Sequence, residues 1–208
     1  MTVTTISPKN ADKKLEPESQ QKLEVIAEIH PESEQEEKVI PLEEFLVKPT
    51  DRMEWVDGNL VEKTGMTFKH SLAQSKLARF WGNYKDSSGQ GGEVLTEVLC
   101  RTNKQGRRPD VAYITPELLP ESGNFTAFSQ SFPLIAEVAS PEDSAEDLFA
   151  KAQEYLESGC LEVWLLFPEA RLIFVNAGQR WLLFNADEVV NSQTVLAGFS
   201  VAVSELLA

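Results

Sequence analysis

The stretch FPLIAEVAS, residues 132–140, limits the fold more than any other part of the sequence. Leu134, Ile135, Ala136, Val138 and Ala139 make an apolar run of strand length, which reads as a β-strand buried on both faces. Glu137 interrupts that run. A carboxylate in such a place is salt-bridged, bound to a metal, or set at the strand end where solvent reaches it, because an isolated buried charge is very costly. The residues alone leave these readings open.

Around this strand the chain reads as helix, hairpin, helix, strands, helix, strands. PLEEFLVKP is a short helix stopped by Pro49. MEWVDGNLVEK is a β-hairpin centred on Asp57-Gly58-Asn59. HSLAQSKLARFWGNY is a helix of about four turns, closed by the loop SSGQGG. EVLTEVLCRT and PDVAYIT are strands joined by the basic connection NKQGRR. After FPLIAEVAS, the segment SAEDLFAKAQEYLES is a helix that Ser140 or Ser144 caps and Gly159 stops. LEVWLLF, RLIFVN and QRWLLFN are strands, and the end of the chain is a short strand with a final helical turn. The order predicts an α/β or α+β class, with a mixed central sheet flanked by helices. Trp55, Trp81, Trp164 and Trp181 sit in apolar patterns and read as core.

Residues 1–38 are rich in Glu, Lys, Ser, Gln and Pro and lack aromatics, which predicts a disordered acidic tail ahead of a folded domain at 39–208. A net charge of −14 argues against holding nucleic acid by bulk charge but leaves room for a local basic patch. The sequence has no apolar run long enough to span a membrane and no signal-like N-terminus, so the expectation is a cytoplasmic protein. Cys100 and Cys160 are too few and too far apart for a disulfide framework or a CxxC zinc site.

Asp110 opens a strand directly after Pro109, and Glu137 lies on the next long strand. If the two strands are neighbours, both carboxylates project from one end of the sheet and make a hard oxygen site suited to magnesium or manganese. Lys151, on the following helix, can fold back over that end to assist. The bland alternative is an exposed pair with Asp147, four residues earlier. Arg101, Lys104, Arg107 and Arg108 form the one dense basic cluster. It reads as a phosphate-contacting hairpin or as a solvated loop.

Pro109-Asp110 followed by Glu137-Val138-Ala139 resembles the PD-(D/E)XK nuclease motif. Over residues 40–200 the chain resembles more specifically the Uma-two family of restriction-endonuclease-like proteins. The resemblance rests on PLEEFL, MEWVDGNLVEK, His70, RPDVAYI and the ordered run Glu137, Val138, Ser140, Pro141, Asp147, Lys151, Tyr155, Gly159, Glu162, Trp164. It implies a restriction-endonuclease-like core and Mg2+- or Mn2+-dependent hydrolysis of phosphodiester bonds in DNA. Asp110 and Glu137 would be metal ligands, joined by the Val138 carbonyl. Lys151 would replace the motif lysine, whose usual position holds Ala139. Glu54, Glu62, His70 and Asp147 are accessory candidates, and a homodimer is expected of an enzyme that cuts two strands. The alternative is a non-catalytic binding protein on the same fold.

Overall fold

The computed structural model describes residues 40–120, 124–178 and 180–207. The acidic tail expected at 1–38 lies outside the described residues.

The strand expected around Glu137 is β7 (Leu134–Val138), every residue of it buried. It lies inside a six-stranded sheet of order β10-β9-β8-β7-β6-β3, made with β3 (Glu93–Thr96), β6 (Val111–Ile114), β8 (Glu162–Phe167), β9 (Leu172–Asn176) and β10 (Trp181–Phe184). β7 and β8 run parallel and the other pairs are antiparallel, so the sheet is mixed. Parallel neighbours need a crossover, and helix α3 (Ala145–Glu157) supplies it.

Alternation along the strands explains why both faces are apolar. Val111, Ala136, Val138 and Trp164 pack on one side with Ala73, Leu77 and Trp81 of helix α2 (Phe68–Ser88). Trp81 meets Trp164 edge to face, with ring centroids 5.7 Å apart. Ala112, Ile135, Val163 and Leu165 pack on the other side with Leu148, Ala152 and Tyr155 of α3. Glu137 falls in step with Ile135, so its side chain belongs to the α3 side.

A second sheet, β2-β1-β5-β4, stands beside the first. It contains β1 (Met53–Val56), β2 (Asn59–Glu62), β4 (Cys100–Arg101) and β5 (Gly106–Arg107), with helix α1 (Leu42–Val47) against β5. Asp57 and Gly58, at φ 49° and 90°, turn the β1–β2 hairpin as the two-residue type demands. The C-terminal part pairs β11 (Val189–Asn191) with β12 (Ser200–Ala202) and ends in α4 (Val203–Leu206).

The structure corrects several sequence expectations. α2 runs 21 residues rather than about four turns. Thr67 caps it, accepting the His70 N–H, and Gly89 ends it in the left-handed region, so His70 lies in the first turn and does not open the helix. EVLTEVLCRT is not one strand: Glu97, at φ 56°, breaks it and sends β3 and β4 into different sheets. The basic connection is not a plain loop, because β5 bridges β1 and β4. Of the two serines proposed as caps, Ser144 takes the position.

Candidate active site

The register that pairs Val111 with Ala136 carries Asp110 to the position opposite Glu137. Both carboxylates are almost fully buried, at 2% and 3% exposure, and both line one cleft of about 860 Å³ between the small sheet and α3. The structure brings Val138, Glu54, Glu62, His70, Asp147, Lys151, Lys104 and Arg107 to the same cleft; Arg101 and Arg108 do not line it.

Each buried carboxylate has its own set of donors. Asp110 Oδ1 accepts from the Lys63 ammonium at 2.7 Å; Oδ2 accepts from the Val138 N–H at 2.7 Å and lies 3.4 Å from His70 Nε2. Gln74 holds the Asp110 carbonyl at 3.0 Å. Burial alone would raise this carboxyl; Lys63 and His70 outweigh it and hold the group well below the usual carboxylate range. Glu137 accepts from the Tyr155 hydroxyl at 2.8 Å and from Lys151 at 3.1 Å, both on one oxygen. Its other oxygen receives no hydrogen bond among the described residues. Burial pushes Glu137 up, Lys151 pulls it back, Asp110 pushes it up again, and the carboxyl settles at about 7. Two neighbouring acids are thus driven apart, one firmly ionised and one near its midpoint at neutral pH.

Lys151 reaches the strand end from the helix. Its ammonium lies between Glu137 and Glu54, 2.9 Å from the latter, so the exposed pair with Asp147 does not form. Although burial works against the charge, the two carboxylates keep this lysine above its ordinary value. Asp147 and Glu62 are exposed at the cleft, and Asp147 gives its backbone N–H to Ser144.

The arginines have partners inside the protein. Arg107 is 3.2 Å from Glu54 and 2.7 Å from Glu154. Arg108 donates to the carbonyls of Met53, Glu97 and Thr50, and Arg101 pairs with Glu43. Among the described residues the Lys104 ammonium has no such partner, and it stays exposed at the cleft. The cluster that reads as a phosphate patch is therefore mainly the cross-bracing of the second sheet, because every guanidinium finds an acceptor that is remote in sequence.

Sequence reasoning missed two residues. Lys63, just after β2, lies against Asp110, and Glu97 lies 3.0 Å from the same ammonium. Neither carries a local signal; their partners are 34 and 47 residues away.

Among the described residues no three His, Cys, Asp or Glu side chains converge as a ready-made metal cluster. The donor set nonetheless fits a hard divalent cation that keeps part of its water shell and is held by one or two carboxylates. Among the described residues Glu137 offers one oxygen without a hydrogen bond, since Tyr155 and Lys151 share the other.

Residues 37–204 match the family model Uma2, described as "Putative restriction endonuclease". The chain belongs to the Uma2 family. No curated protein matches it. Among solved structures it is similar to a protein from Anabaena variabilis described as "a putative nuclease belonging to DUF820", with a TM-score of 0.72 and 22% identity over 81% of this chain and 97% of that one. The Uma2 chain thus has a nuclease-like fold. None of its described helices is long and apolar enough to cross a membrane.

Proposed function

We propose that this Uma2 protein is a magnesium- or manganese-dependent endonuclease that hydrolyses phosphodiester bonds in DNA. The observation that carries the reading is the meeting of Asp110, Glu137 and Lys151 in one cleft, from two paired strands and the helix that follows them.

Asp110, Glu137 and the Val138 carbonyl would hold the cation. Such an ion supplies a more acidic bound water and charge neutralisation at the phosphate and leaving oxygen. Asp110 is kept ionised by Lys63 and His70 and aimed by the Val138 N–H. Tyr155 fixes the orientation of Glu137. Lys151 stands beside the reacting centre, placed to offset charge that develops on the phosphate. Ten acidic side chains and four Lys or Arg line the cleft. That balance repels a bare phosphate and attracts cations, which favours a reading in which the metal bridges protein and DNA. Cys100 and Cys160, both buried free thiols, suit a reducing cytoplasm. A homodimer would serve double-strand cleavage.

The experiment is nicking of supercoiled plasmid by the purified chain, with Mg2+ or Mn2+ and with chelator. Asp110→Asn and Glu137→Gln each lower the metal-dependent rate by at least about 100-fold, the upper end of what outer-shell losses cost at metal sites. Equal nicking by wild type and both variants would refute the assignment. One observation favours a non-catalytic protein instead: both Asp110 oxygens already have donors. Absence of Mg2+ and Mn2+ binding by calorimetry would decide for it.

A further inference from the structure

In that scheme Lys63 only keeps Asp110 ionised, yet its placement implies more. Its ammonium is surrounded by three oxygens from three segments: Asp110 Oδ1 at 2.7 Å, the Arg108 carbonyl at 2.8 Å and Glu97 Oε2 at 3.0 Å. A hard cation would seek the same kind of oxygen cage. The backbone supports the placement. Lys63 gives its N–H to the Arg52 carbonyl, and its own carbonyl accepts from the Arg52 guanidinium. Glu97 holds a left-handed conformation, φ 56°, that brings its carboxylate to the ammonium, while Gln74 braces its other oxygen at 2.9 Å. Two residues after Lys63, Gly65 at φ 81° passes so close to Ser140 that an added Cβ would stand 3.0 Å from its hydroxyl, which fixes the hairpin exit against the β7–α3 turn. The lysine side chain is 16% exposed and lines the cleft, so the ammonium can leave its cage for solvent.

We propose that the Lys63 ammonium is a tethered counterion on the Asp110 side of the site, and that a divalent cation binds there by displacing it, so that Lys63 sets the metal affinity of the protein. The inference rests on the metal-dependent reading above. It accounts for the full set of donors around Asp110: the cage is satisfied before any ion arrives. The displaced ammonium then lies in the cleft, close to where a phosphate would approach.

The test is titration of the full chain with MnCl2 by calorimetry, for wild type and Lys63→Met, together with thermal unfolding in chelator and in Mn2+. Lys63→Met binds Mn2+ tighter by about tenfold or more, as expected when one competing unit charge is removed at contact range, and its melting temperature rises more on adding Mn2+ than that of wild type. Equal or weaker binding by Lys63→Met overturns the proposal. A variant that is unfolded in chelator and folds on adding Mn2+ supports it; one that stays unfolded in millimolar Mn2+ overturns it. Asp110→Asn and Glu137→Gln separate the two ideas. If wild type binds Mn2+ and loses it in both of these variants, while Lys63→Met is unchanged, only the role of Lys63 fails. If neither wild type nor Lys63→Met binds Mn2+, the metal-dependent reading fails with it.

Discussion

Replacing Glu137 with Gln should make the metal-free protein more stable at neutral and alkaline pH, and far less so at pH 5. The folded carboxyl sits at about 7 against an ordinary 4.5, so the folded state holds its proton through a range in which the unfolded chain has lost it. A group raised in this way contributes stability that is complete below the unfolded value and is lost as pH climbs through the folded one. With about 1.4 kcal/mol for each tenfold change in proton affinity, the ionised Glu137 costs wild type about 3 kcal/mol at pH 8.5 and under about 1 kcal/mol at pH 5. Gln keeps the carbonyl that accepts from Tyr155 and Lys151 but carries no charge, and Lys151 retains Glu54 at 2.9 Å. His70, also raised, loses its contribution over a neighbouring range, yet it is present in both proteins and largely drops out of the difference. The assay is urea unfolding of both proteins with chelator at pH 5, 7 and 8.5. Parallel stability profiles, or a variant less stable than wild type at pH 8.5, would refute the claim that Glu137 is undercompensated.

Lys151→Met should abolish metal-dependent plasmid nicking and cost about 2–4 kcal/mol in urea unfolding, because Glu54 and Glu137 lose their shared ammonium; full nicking would remove this lysine from the chemistry. Arg107→Ala should destabilise by a similar amount, about 2–4 kcal/mol, since Glu54 and Glu154 are left facing each other. Lys104→Ala should leave stability within about 0.5 kcal/mol and reduce the salt slope of plasmid binding by about one, read by binding titrations at several ionic strengths. Glu162→Ala should cost about 3–5 kcal/mol by thermal or urea melts. Its buried carboxylate accepts from Trp164 Nε1, Ser192 and the N–H groups of Gln193, Thr194 and Val195, all of which would lose that acceptor.

Elements with strong one-dimensional patterns were readable in the sequence. LIAEV and LEVWLLF are strands because apolar runs of that length bury on both faces, and the stripe Leu148, Ala152, Tyr155 gives α3. The convergence of Asp110, Glu137 and Lys151 was readable because each stands at a strand end or on the next helix. Pairing between side chains distant in the chain was not. The density of Arg101, Arg107 and Arg108 suggests a surface patch, and only the fold reveals Glu43 as the acceptor of Arg101 and Glu54 and Glu154 as those of Arg107, 47 to 58 residues away, with Arg108 turned to backbone carbonyls. Lys63 escaped notice for the same reason. The break at Glu97 is a backbone choice forced by two competing sheets, and nothing local announces it.

Lys151 and Tyr155 stand one turn apart on α3 and grip the same Glu137 oxygen, and the helix that bears them is keyed into the core by Leu148, Ala152 and Tyr155 itself. The amine therefore inherits its bearing from hydrophobic packing and not from a pliable loop. One residue inserted between Ser144 and Lys151 would swing it by about 100°. Insertions or deletions between the helix cap and Lys151 should therefore be punished even where the fold survives them.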